Sequence, residues 1–110
     1  MEITEEQRAD IVILRVIGRL DASTSKELEN RISSLIASSQ GKMVIDLSEL
    51  DYISSAGLRV FLLALKRMDA VKGKMILCSL RNAVKEVFDI AGFSSFLTLA
   101  SSTEEAIKNL

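Results

Sequence analysis

Apolar positions in this chain follow two periods in turn, and each change of period marks a new element. The run Ile11-Val12-Ile13-Leu14-Arg15-Val16-Ile17 is β-branched and closes on Gly18, which predicts a strand. The segment from Glu2 to Gln7 before it predicts a short edge strand, joined through a turn at Ala9-Asp10. After Gly18-Arg19-Leu20-Asp21 the period lengthens: Leu28, Ile32, Leu35 and Ile36 recur at i, i+4, i+7 and i+8 among charged neighbours, which predicts a helix. Ser23, Thr24 and Ser25 are read as its caps, and Ser38-Ser39-Gln40-Gly41 as its glycine stop. Met43 to Leu47 is short and apolar on both faces, the pattern of a central parallel strand. An acidic, polar turn follows it. A second helix is predicted from Ala56 to Val71 with a stop near Gly73, then a strand from Lys74 to Leu80. Asn82 is read as the cap of a third helix whose Val84, Val87, Phe88 and Ala91 share a face, stopped by Gly92. Phe96 to Leu99 predicts a last short strand, and Ser102-Thr103-Glu104-Glu105 opens a terminal helix with acidic first-turn residues.

Strands alternate with helices, so the fold class is α/β. The expected architecture is a mainly parallel sheet of four to five strands, with an antiparallel N-terminal edge strand and about four helices. No segment repeats, and with no proline and no low-complexity linker residues 1–110 are read as one domain. Functional groups in such sheets collect at the carboxyl ends of strands, where Asp21 and the Asp46-to-Ser55 connection belong. Asp46 is read as the residue that organises its turn, since a carboxylate accepts backbone amides readily.

At about 100° per residue, the second helix divides into faces. Leu58, Phe61, Leu62, Leu65 and Met68 form the expected core stripe, flanked by Arg59 and Lys66. The far side carries Val60, Leu63, Arg67 and Val71, apolar members where water would favour polar ones. Such a face is either ordinary surface or a place for a protein to dock.

Composition narrows the chemistry. The chain has 110 residues, 48% hydrophobic and 26% charged, with a net charge of −1 and no basic cluster, so nucleic acid is not an expected partner. Apolar stretches fall far short of the ~20 residues that cross a bilayer, and the acidic start Met-Glu-Ile-Thr-Glu-Glu does not read as a signal peptide. The lone Cys78 lies in an apolar run and reads as a core thiol, consistent with a cytoplasmic location. With no histidine, a Ser-His-Asp relay and a histidine metal site are both unavailable, and the scattered glycines build no phosphate loop. No enzyme, metal or cofactor is expected.

The remaining chemistry sits at Ser54-Ser55, where the second helix begins. A hydroxyl there can cap free amides, or carry a phosphate that the positive end of the helix tolerates. The pattern Val44-Ile45-Asp46-Leu47-Ser48, followed by Ile53-Ser54-Ser55-Ala56-Gly57-Leu58-Arg59, resembles the signature of the STAS domain, specifically the stand-alone bacterial anti-sigma factor antagonists. Gly18-Arg19-Leu20-Asp21, Leu80-Arg81-Asn82-Ala83-Val84 and Val87-Phe88-Asp89-Ile90-Ala91-Gly92-Phe93 are similar to further segments of that family.

The resemblance implies a protein that binds an anti-sigma factor serine kinase, frees a sigma factor, and is switched off by phosphorylation of one serine until a serine phosphatase restores it. By position before Ala-Gly-Leu that serine is Ser55. Many members have aspartate where this chain has Ser54, so Ser54 is the alternative acceptor. Asp21 matches the family's acidic position near the switch. Together with the docking face, this places partner contacts on Asp21, Ser54, Ser55, Gly57, Arg59, Val60 and Leu63. A monomer is expected. Two alternatives are a STAS-type adaptor subunit of a larger signalling or lipid-transport assembly, and a nucleotide-binding STAS module.

Overall fold

The computed structural model describes residues 1–38 and 40–110. Among them are strands β1 (Glu2–Arg8), β2 (Ile11–Leu20), β3 (Lys42–Asp46), β4 (Leu50–Ile53), β5 (Lys74–Cys78) and β6 (Thr98–Ala100), and helices α1 (Ser25–Ala37), α2 (Ser55–Ala70), α3 (Asn82–Ile90) and α4 (Thr103–Lys108). The sheet runs β1-β2-β3-β5-β6, with β4 also paired to β2. The β1–β2 pair is antiparallel, as the short turn at Ala9-Asp10 requires, and the other pairs are parallel.

The period of two along β2 separates the faces. Val12, Leu14 and Val16 join Leu28 and Ile32 of α1, Phe61 of α2 and Phe88 of α3 in the main core. Ile13, with Val44, Ile76 and Cys78, points the other way and packs on Ala106 of α4. Met43, Val44 and Ile45 of β3 are all fully buried, because β3 lies between β2 and β5 with helices over both faces. Cys78 is buried there, and burial pushes its thiol pKa up, opposed in part by the Thr103 hydroxyl 3.6 Å from the sulfur.

Several boundaries differ from the sequence reading. The β2 strand passes through Gly18 to Leu20, and the last strand lies at Thr98–Ala100, preceded by a 3-10 turn at Phe93–Ser95. The sixth strand, β4, occupies what reads as a polar turn. Its pairing with β2 steps from Gly18↔Leu50 to Arg19↔Tyr52, so Asp51 is the extra residue of a β-bulge. The bulge puts Leu50 and Ile53, three apart, into the same core and erases the alternation that announces a strand.

The helix ends also differ. Thr24 is the N-cap of α1 without a side-chain cap, because its hydroxyl donates to the Arg19 carbonyl at 3.0 Å. Arg81, not Asn82, is the N-cap of α3. Ser39, part of the stop read for α1, lies outside the described residues. Gly92 does stop α3, taking the left-handed φ of 77° that glycine adopts without steric cost. At the end of α2 the left-handed residue is Lys72 (φ 59°), one before Gly73, whose N–H closes the turn onto the Met68 carbonyl at 2.7 Å. A side chain at that position is strained, so Lys72→Gly should raise unfolding stability by about 0.5–1 kcal/mol. Chemical denaturation would check this, and an unchanged or lower midpoint would contradict it.

Candidate functional site

The candidate site is built at the carboxyl ends of β2 and β4, where the chain turns into α2. β3 and β4 run in sequence along the same edge of β2, pairing first with residues 12–15 and then with 18–20. The Ser54 N–H donates to the Leu20 carbonyl at 2.9 Å, which fixes the end of β4 beside the residue that precedes Asp21. Ser54 is the N-cap of α2, and its hydroxyl accepts the Gly57 N–H across a long 3.4 Å contact. Ser55 is the first residue of α2 and is exposed, whereas Ser54 is half-buried. The two adjacent hydroxyls are therefore unlike: one is turned onto the helix end and the other faces solvent. First-turn amides lack intrahelical acceptors, so the Ser55 hydroxyl sits where negative charge is favoured. Arg59, also exposed, follows one turn later at i+4 on the same helix face.

Gly57 is where α2 meets the sheet. A Cβ on this residue would lie 2.8 Å from both Ile53 Cγ1 and Leu20 Cγ, atoms of side chains that are themselves buried. Its part is close packing, and this corrects its expected place among partner contacts. Val60 is corrected likewise. It is 5% exposed, and with Leu63 and Ala64 it meets Glu29 and Ile32 of α1. On the face read as ordinary surface or a docking place, α1 covers Val60, while Val71 stays 55% exposed. Leu63 remains half-buried at its margin. A cleft of about 210 Å³ opens between the two helices, lined by Ser25, Lys26, Glu29, Ala56, Arg59 and Leu63 among others.

Asp21 is half-buried at the end of β2. Its Oδ1 accepts from the Ser23 hydroxyl at 2.7 Å and the Ser23 N–H at 3.0 Å, and Arg19 Nε lies 4.0 Å from Oδ2. The Ser23 hydroxyl above all holds this carboxyl below the usual aspartate range, with desolvation opposing it. Asp46 is 3% exposed; its Oδ1 accepts the Ser48 N–H at 2.9 Å and its Oδ2 accepts Arg15 Nε at 3.1 Å.

Three arginines around the Asp46-to-Ser55 connection had no local signal in the sequence. Arg15 of β2 pairs with Asp46 and also with Glu49 at 3.5 Å. Arg19 lies 4.2 Å over the ring of Tyr52. Arg81 reaches back 30 residues to Asp51 and donates from Nε to the Ser48 carbonyl at 2.8 Å. These contacts arise from tertiary placement and are invisible to local spacing. A larger cavity, about 390 Å³, lies at the carboxyl ends of β5 and β6 and is lined by Ser79, Leu80, Lys85, Leu99, Ala100 and Ser101. Its lysine is already paired with Asp89 at 3.0 Å. Among the described residues no group of three or more metal-ligating side chains comes together, and no helix is long and apolar enough to cross a membrane.

Comparison with known proteins gives the same architecture a family. BtrV of Bordetella bronchiseptica, a provisionally assigned anti-sigma factor antagonist, is 38% identical over 106 residues, covering 96% of this chain and 91% of the relative. A provisionally assigned anti-sigma factor antagonist of Thermotoga maritima superposes with a TM-score of 0.92 at 19% identity, covering 97% of this chain and 92% of the other. The Bacillus cell fate determinant SpoIIAA, in its phosphorylated form, superposes with a TM-score of 0.75 at 24% identity over 98% of both chains. The STAS domain model matches residues 2–106, and this chain belongs to the STAS domain family.

Proposed function

We propose that this chain is an anti-sigma factor antagonist, a binding protein rather than an enzyme, switched by phosphorylation of Ser55. In this reading it binds an anti-sigma factor that is a serine kinase and so frees a sigma factor in the bacterial cytoplasm. The kinase phosphorylates Ser55, and a serine phosphatase resets it. Relatives that carry the antagonist name support the activity. The observation that carries the site is the unlike placement of the two serines: Ser55 is open to a kinase, while the Ser54 hydroxyl is engaged at the Gly57 amide. Asp21, Ser55, Arg59 and Leu63 are the proposed contact residues, with Asp21 next to Leu20, the residue that anchors Ser54.

Incubation with the anti-sigma factor kinase and ATP, followed by intact and fragment mass measurement, tests this directly. One phosphate on Ser55 in the parent and none in Ser55→Ala is the expected result. A normally phosphorylated Ser55→Ala moves the acceptor to Ser54. Nucleotide retained without covalent phosphate would favour the nucleotide-binding reading. The absence of both would favour a static adaptor.

A further inference from the structure

We infer that Arg81 is a positioning residue for Ser55, acting through the β-bulge at Asp51; the inference rests on the Ser55 reading above. β4 is weakly held for an element that delivers a functional residue. It is four residues long, its only strand partner among the described residues is β2, and its ladder is broken at Asp51. Backbone anchors at its two ends are Gly18 N–H to the Glu49 carbonyl at 3.0 Å and Ser54 N–H to the Leu20 carbonyl at 2.9 Å. A short bulged segment of this kind opens locally at lower cost than the core around it.

The guanidinium of Arg81 spans the weak point. One edge donates to the Ser48 carbonyl before β4, and a terminal nitrogen pairs with the Asp51 carboxylate inside it. A planar fork holds two acceptors in a fixed relation that a flexible ammonium cannot reproduce. Arg81 is itself fixed, because it is the N-cap of α3, and Val84 and Phe88 of α3 are buried in the main core. The clamp thus ties the bulge, three residues before Ser54, to a rigid helix.

Both side chains are half exposed (50% and 59%), so the pair adds little to global stability. Its effect is on where Ser55 is presented. Phosphoryl transfer depends on alignment, and a misplacement of about 1 Å can lower a rate by as much as 100-fold.

The test measures kinase turnover of the parent, Arg81→Ala, Arg81→Lys, Asp51→Ala and the double variant Arg81→Ala/Asp51→Ala. Amide exchange at Gly18 and Ser54 is followed in parallel. Arg81→Ala should lower kcat about tenfold with KM changed less than threefold and the melting temperature nearly constant, and should speed exchange at both amides. The lysine variant should recover only part of kcat, and the double variant should be no worse than Arg81→Ala, because coupled residues are non-additive. Unchanged kcat in Arg81→Ala, with normal phosphorylation of the parent on Ser55, overturns the inference alone. A tenfold loss in the double variant beyond Arg81→Ala also overturns it. A parent that takes no phosphate on Ser55 overturns the Ser55 reading and this inference with it.

Discussion

Ser55→Asp is expected to fold as the parent does and to bind an anti-sigma factor kinase about thirty- to several-thousand-fold more weakly. The two halves of this expectation have separate causes. Within the isolated chain the new carboxylate sits in the first turn of α2, where the helix dipole stabilises negative charge by about 0.3–1 kcal/mol. Arg59, one turn along on the same face, is a cation within reach of that position. Neither Asp21 nor Asp51 is a bare neighbouring charge, since Arg19 and Arg81 lie against them. At a docked surface the balance reverses. A charge stripped of water and left without a partner costs roughly 2–5 kcal/mol, and a phosphate with nearly two charges costs no less. Titration calorimetry gives the affinity, and thermal unfolding gives the integrity of the fold. Equal affinity for parent and variant would remove the switch, whatever mass spectrometry found on Ser55.

The sequence made this region legible in outline and misleading in detail, for physical reasons that can be named. The β2 and β3 strands announce themselves because one face alternates and the other is covered, so period and apolar run agree with the buried positions. β4 does not, because the bulge at Asp51 breaks a period of two in a segment of only four residues. The faces of α2 were only half recoverable. Angular arithmetic assumes one contact surface, and it finds Leu58, Phe61 and Met68, which are buried. It then assigns Val60 to solvent and Leu62 and Leu65 to the core, because nothing local says that α2 packs against α1 as well as against the sheet. In the structure Val60 and Ala64 are buried, while Leu62 and Leu65 are half-buried. The same limit hides Arg15 and Arg81, whose partners lie about thirty residues away in the chain and are brought near by topology. The serines are the opposite case. Their position before Ala-Gly-Leu is a local fact, and the fold adds only which hydroxyl is turned inward.

Gly57→Ala turns the meaning of that local block into a stability measurement. In an exposed helix, replacing glycine by alanine stabilises by about 1 kcal/mol, because the glycine backbone loses more freedom on folding. Here the sign should invert. The added methyl would meet Leu20 Cγ and Ile53 Cγ1 at 2.8 Å, and neither atom is the free end of a flexible chain. Leu20 is fully buried and Ile53 nearly so, at the ends of the two strands that converge on α2. Relief requires the helix start to move off the sheet, and overpacking of this kind costs roughly 1–3 kcal/mol. Set against the propensity gain, a net loss of up to about 2 kcal/mol remains, or a fall of up to roughly 8 °C in melting temperature for a chain of this size. A variant as stable as the parent would mean that Leu20 and Ile53 yield easily, and that glycine is not required by packing. The displacement carries Ser54 and Ser55 with it, since the first turn of α2 is anchored through the Leu20 carbonyl. Ser-Ala-Gly-Leu is then one physical unit: the glycine lets α2 approach closely enough for its first residue to present a hydroxyl at a defined place.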